Sequence, residues 1–254
     1  MDILLLQTNI KWESPEYNRT RASEIINNFP VADIIVLPEM FTTGFVMSPE
    51  NIADKESSET LAWMQKVAKN KNAAIAASMV TKQENKYYNR LYFVKPDGSY
   101  TTYDKRHLFS FGEEDKKYTA GKNRIIVEHK GVRILLQICY DLRFPVFSRN
   151  NNDYDMIIYV ANWPTQRVET WNTLLQARAI ENQCYIAAVN RTGNDPVTTY
   201  CGGTHLLDYF GKPIVSAKYN EENAVLGTIN IQKLNDFRQK FPALKDADNF
   251  TIDI

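Results

Sequence analysis

Cys139 closes the apolar run Arg133-Ile134-Leu135-Leu136-Gln137-Ile138 and opens the polar turn Tyr140-Asp141-Leu142-Arg143-Phe144-Pro145. A strand that carries a thiol to its carboxyl end puts sulfur where open α/β sheets hold ligands. A lone cysteine in an apolar strand is usually an inert core residue, so its partners decide the reading. Glu39 follows Ile34-Ile35-Val36-Leu37-Pro38, a buried-strand pattern that Pro38 must end. With Phe41 and Phe45 near it, burial would raise its pKa and suit it to general-base work; a solvated loop glutamate is the plain alternative. Lys105 follows the β-type run Tyr100 to Asp104, and among 30 basic residues a solvated surface lysine is the default. Beside Cys139, however, its ammonium would favour the thiolate and stabilise the oxyanion of a tetrahedral intermediate. If the three converge, they form a hydrolase site working through a covalent thioester.

A cysteine–histidine protease is the competing scheme. His129, within Glu128-His129-Lys130-Gly131, reads as a surface residue of a charged hairpin, His205 begins a strand, and His107 only neighbours Lys105. None has a distinctive setting. No cysteine or histidine pair has metal-ligand spacing, and no phosphate-binding glycine loop is present, so neither a metal nor a cofactor is expected. Cys184 and Cys201 read as structural. Three sparse cysteines make no disulfide framework, which fits a reducing, cytoplasmic setting.

The elements that must position these residues are short. Strand-like runs cover Ile3 to Thr8, Asp33 to Leu37, Ala73 to Met79, Leu91 to Lys95, Ile125 to Glu128 and Val132 to Ile138. Others cover Met156 to Val160, Tyr185 to Val189, His205 to Tyr209 and Ala224 to Ile229. Helical periodicity marks Asn18 to Asn28, followed by Pro30, then Ser57 to Lys69 and Thr165 to Asn182. Strands without strict alternation imply sheets covered on both faces, and alternation with helices implies α/β layers. Lys95-Pro96-Asp97-Gly98-Ser99 reads as a hairpin turn, so the sheets should be mixed. With 254 residues and no linker or repeat, residues 1–254 are expected to form one domain, with 242–254 a polar tail. Thirty basic residues balance thirty acidic ones, which gives no electrostatic case for nucleic acid or an anionic membrane. The apolar start is too short for a signal peptide, and no stretch approaches the roughly 20 apolar residues of a membrane span.

Five segments in order resemble the carbon–nitrogen hydrolase (nitrilase) superfamily. They are Leu37-Pro38-Glu39-Met40-Phe41, Tyr103 to Phe109, Cys139 to Pro145, Asn162-Trp163-Pro164 and Arg178-Ala179-Ile180-Glu181-Asn182. The resemblance implies a four-layer α-β-β-α sandwich with two mixed sheets, and a catalytic triad of Glu39, Lys105 and Cys139. It also implies a second glutamate soon after the lysine. Glu113 and Glu114 both qualify, and the following Tyr118-Thr119-Ala120-Gly121 favours Glu114. The backbone N–H of Tyr140 would assist Lys105 at the oxyanion. The short form, with Tyr159-Val160-Ala161-Asn162-Trp163-Pro164, is most similar to the omega-amidase branch, whose members hydrolyse the terminal amide of 2-oxoglutaramate and related 2-oxo acid amides. Val146 stands where the family often has glutamate. A substrate carboxylate would need a cation: Arg143, Arg167 and Arg191 are candidates. Phe111, Tyr140 and Trp163 are expected to wall the pocket, although each reads more readily as packing than as a substrate contact. The resemblance further implies a homodimer or larger even homo-oligomer. Alternatives are another carbon–nitrogen hydrolase, acting on an N-carbamoyl compound, aliphatic amide or nitrile, and a non-catalytic scaffold with Cys139 as a redox sensor.

Overall fold

A computed structural model describes residues 1–29 and 32–252, the side chains of 54–56 apart. The first sheet begins with β1 (Asp2–Gln7), β2 (Ile34–Val36), β3 (Ala74–Gln83), β4 (Lys86–Val94) and β5 (Tyr100–Asp104). The second contains β6 (Ile126–His129), β7 (Val132–Ile138), β8 (Met156–Ala161) and β9 (Tyr185–Asn190). After a small ribbon of β10 (Thr192–Asn194) and β11 (Thr199–Cys201), the second sheet adds β12 (His205–Leu207) and β13 (Pro213–Ser216). β14 (Asn223–Thr228) returns to the edge of the first. The orders are β14-β1-β2-β3-β4-β5 and β13-β12-β9-β8-β7-β6, six strands each. In each sheet three consecutive strands are parallel, β1-β2-β3 and β7-β8-β9, and antiparallel strands flank them. Both sheets are therefore mixed.

Side-chain alternation divides the strands between two interfaces. Ile3, Leu5, Ile34, Val36, Leu91 and Phe93 pack into a core shared with Ile134, Leu136, Ile158 and Val160 of the other sheet. Their neighbours Leu4, Leu6, Ile35, Ile75 and Val94 pack on helix residues Ile25, Ile26, Met64 and Ala68. Those belong to α1 (Pro15–Asn27) and α2 (Ala53–Lys71), the crossovers between parallel strands. α3 (Glu114–Lys117) and α4 (Pro145–Ser148) are single turns near the site. α5 (Val168–Glu181) and α6 (Ile231–Lys240) cover the second sheet, burying Trp171, Leu175, Ala179 and Leu234. The result is the expected α-β-β-α sandwich. Among the described residues no helix is long and apolar enough to cross a membrane.

Several expectations need revision. The first two helices begin earlier, at Pro15 and Ala53, and β4 begins at Lys86. The strand from His205 stops at Leu207, and α6 was not foreseen. Pro30 lies outside the described residues. His129 is not a surface residue: it is 8% exposed, packs edge-on against Phe93 and faces the Asp33 carbonyl at 3.1 Å. Ile252, in the polar tail, packs on the shared core.

Candidate active site

Glu39 sits two residues past Leu37, where the chain turns sharply through Met40 at φ 42°. The Met40 N–H donates to Ser78 Oγ, which ties this turn to β3. Lys105 directly follows β5, and its N–H donates to the Asn89 carbonyl on β4. Gly121 packs against this junction: a Cβ there would lie 2.2 Å from the Asp104 carbonyl oxygen, while its N–H bonds to the Lys105 carbonyl at 2.9 Å. Cys139 directly follows β7 in a left-handed conformation, φ 47°, which a non-glycine residue adopts only under local constraint. Asp141 supplies that constraint. It accepts from the Ile138 N–H, Tyr103 Oη and the His107 N–H, so one buried carboxylate ties the cysteine turn to the lysine loop.

These elements bring Glu39, Lys105 and Cys139 together at the seam between the sheets, with Glu114 beside them. Lys105 Nζ donates to Glu39 Oε1 at 2.9 Å and to Glu114 Oε1 and Oε2 at 3.1 and 2.9 Å. Neither carboxylate has exposed side-chain surface, and Lys105 is 1% exposed. Glu39 Oε2 also accepts from the Asn162 N–H at 2.8 Å, across from the second sheet. Asn89 Nδ2 donates to both glutamates. Glu39 and Lys105 both act electrostatically on the Cys139 thiol.

Burial opposes the charge on Lys105, but Glu114, Glu39 and Cys139 outweigh it and hold the ammonium well above the usual lysine range. Burial pushes the Glu114 carboxyl up; Lys105 opposes this and Glu39 adds to it. For Cys139, burial and then Glu39 push the thiol well up, and the downward pull of Lys105 is weaker. Lys105 thus favours the thiolate as expected, but burial and Glu39 outweigh it. The resting nucleophile is a thiol, which needs a base, and Glu39 is the neighbouring group that acts on it most strongly.

Above these groups opens a cleft of about 540 Å³, lined in part by Phe45, Phe109, Tyr140, Arg143, Trp163, Arg167 and Tyr200. Of the expected wall residues, Tyr140 and Trp163 are in place. Phe111 is not: a short turn over Ser110–Gly112 leaves it 85% exposed, and its neighbour Phe109 takes the wall position. Glu113 points away, paired with Lys116, so Glu114 alone reaches Lys105. The arginines separate equally well. Arg191 is fully buried outside the cleft lining and donates to the Ile10 and Asn194 carbonyls. Arg143 lies over the Trp163 ring at 5.0 Å and Arg167 over Phe109 at 5.4 Å. Among the described residues neither has a carboxylate partner. Asn89 and Asp141 were missed as site residues, although Asp141 stands two places from the nucleophile.

A buried Glu–Lys–Cys cluster with a second glutamate on the lysine, at the seam of an α-β-β-α sandwich, defines a class, and residues 4–239 match its sequence pattern: the chain belongs to the carbon–nitrogen hydrolase family. It is 41% identical over 253 residues to the omega-amidase YafV of Escherichia coli K12, covering 99% of this chain and 98% of that one. It is 33% identical to the 2-oxoglutaramate amidase of Bacillus subtilis, covering 96% of each. A Xanthomonas campestris superfamily protein, solved with an arsenic adduct in its active site, superposes with a TM-score of 0.96 at 40% identity, covering 100% of this chain and 99% of that one. The chain is thus an amidase-type carbon–nitrogen hydrolase.

Proposed function

We propose that the protein hydrolyses the terminal amide of a 2-oxo dicarboxylic acid monoamide such as 2-oxoglutaramate, releasing ammonia. The observation that carries this reading is the buried Glu39–Lys105 pair beside Cys139 in a cleft lined by two arginines that, among the described residues, have no carboxylate partner. Full-length similarity to an omega-amidase and a 2-oxoglutaramate amidase supports the same substrate class.

In this mechanism Glu39 takes the Cys139 proton as sulfur attacks the amide carbonyl. Lys105 Nζ and the Tyr140 backbone N–H receive the oxyanion. The two Lys105 contacts to Glu114 can share one hydrogen, which frees another for substrate. Collapse of the intermediate expels the amine, which Glu39 protonates to ammonia, leaving an acyl thioester on Cys139. Glu39 then takes a proton from water, whose oxygen attacks the thioester. The products are the dicarboxylate and the regenerated thiol. Glu114 holds Lys105 in place. Arg143 and Arg167 receive the distant carboxylate, since bidentate guanidinium–carboxylate pairing suits both partners.

Release of ammonia from 2-oxoglutaramate, compared with N-carbamoyl amino acids and nitriles, tests the reading. No turnover of the oxo-acid amide alongside turnover of either other class would replace it. We further read residues 1–254 as one catalytic unit, supported by the core that both sheets share. An even homo-oligomer, most simply a dimer, is supported by Val146 and Ile180, each 55% exposed on α4 and α5. Sedimentation at monomer mass would defeat that pairing. Three free cysteines are compatible with a reducing cytoplasm.

A further inference from the structure

We infer that Asn89 is a positioning residue for the reaction: its side-chain amide binds the facing oxygens of the two buried glutamates and so holds the base of the site ready to accept from Cys139. This rests on the thiol-hydrolase reading of the cluster. Asn89 lies on β4, fully buried, and touches three members of the site. Nδ2 donates to Glu39 Oε1 at 2.7 Å and to Glu114 Oε1 at 3.2 Å, and the backbone carbonyl of Asn89 accepts from the Lys105 backbone N–H at 3.0 Å.

The opposite end of the amide makes the case. Asn89 Oδ1 is buried and, among the described residues, has no hydrogen-bond partner. A purely structural asparagine would satisfy its acceptor, because an orphaned buried polar atom is costly. Turning the amide over would not help, since it would aim Oδ1 at two carboxylate oxygens. The orientation is therefore dictated by the acids.

Charge explains why the site needs this. One ammonium faces two carboxylates that have no exposed side-chain surface, so one negative charge lacks a cation. Two buried like charges drive one of them to take up a proton. A protonated pair has less capacity to accept from Cys139. An amide that gives both its N–H groups to the pair counters this without adding charge. Around the pair the described ionisable groups include the Cys139 thiol, the Tyr200 phenol, which burial and Asp195 push up, and the Tyr118 phenol, which burial and then Glu114 and Glu39 keep protonated. Arg90, next on the strand, is occupied by Asp104 through two hydrogen bonds and does not contribute.

The test is the pH dependence of Cys139 alkylation by iodoacetamide, read by intact mass, with Cys139→Ala as the background. This readout needs no substrate, so it stands apart from failure of the amide assignment. Asn89→Leu keeps the volume and loses the donors. The acid-side inflection of its alkylation profile should move upward by about one pH unit, tenfold in proton affinity. Asn89→Asp is nearly isosteric and adds a third carboxylate, so its inflection should move further in the same direction. An unmoved inflection in either variant, in protein that unfolds cooperatively, overturns the inference. With an amide substrate, the acid limb of kcat/KM should move by the same amount while KM stays put. A uniform loss of rate with an unshifted limb would mean that Asn89 is merely structural.

Discussion

Replacing Lys105 by methionine should cripple turnover and make stability depend on pH in a defined direction. The substitution keeps most of the side-chain volume and removes three contacts: 2.9 Å to Glu39, and 3.1 and 2.9 Å to Glu114. All three side chains are at most 1% exposed, so solvent does not screen the loss. Removing one partner of a buried ion pair costs about 3–5 kcal/mol. The folded variant can recover part of this by taking up a proton, and Glu114, which burial already pushes up, is the natural place for it. A carboxyl whose folded pKa exceeds its unfolded value adds stability below the unfolded value, and that stability is lost as pH rises through the folded one. The deficit against wild type should therefore be largest near about pH 8 and shrink toward about pH 5. Loss of one oxyanion donor is worth about 3–4 kcal/mol, so ammonia release should fall at least about 100-fold. Urea unfolding at both pH values and a coupled ammonia assay read the two effects. Wild-type stability at the higher pH, or retention of more than about a tenth of the rate, would refute the reasoning.

Other outcomes follow from the same geometry. Arg143→Met and Arg167→Met should each raise KM for an oxo-acid amide by about tenfold or more with little change in kcat, since a hydrogen bond to a charged group is worth about 1.5–3 kcal/mol; unchanged KM in both would remove the carboxylate clamp. Gly121→Ala forces a Cβ against the Asp104 carbonyl and should cost about 1–3 kcal/mol by calorimetry, with turnover reduced because Lys105 follows Asp104; a wild-type melting curve would count against this. Phe111→Ala should leave kcat/KM unchanged, and a large loss would return Phe111 to the pocket wall. Burial pushes Asp155 up, but Arg133 and Arg238 outweigh it and hold it below the usual range. It therefore contributes stability above its unfolded pKa that is lost as pH falls, and Asp155→Asn should flatten the acid side of a stability–pH curve.

Glu39 and Cys139 carried a local signal because each follows a strand that its own neighbours terminate, Pro38 before Glu39 and the polar turn after Cys139, whereas Lys105 read as a surface lysine until the ordered motifs were taken together. Such a break is a local signal, and it survives without knowledge of the partner sheet. Asn89 carries no such signal, since it sits inside a strand, among Tyr87, Tyr88 and Arg90, and its meaning comes from groups 25 and 50 positions away. Helix α6 could have been found, since Asn230 caps it by accepting from the Lys233 N–H, but its exposed polar face hid the periodicity. Phe111 and Phe109 differ only in which way one short turn throws them, which composition does not encode. The resting state of the thiol depended on burial outweighing an adjacent cation, and only the enclosed geometry decides that contest.

The Asn162 N–H reaching across the seam to Glu39 makes catalysis a property of docking between the halves of the molecule. Base, lysine and asparagine amide come from one sheet, while the nucleophile comes from the other. A folding intermediate with a single formed sheet, however native its strands, would hold an incomplete set of reacting groups. During refolding, recovery of turnover should coincide with the last burial of the shared core and trail the appearance of secondary structure. The enzyme would thus report on its own assembly, silent until both layers have closed.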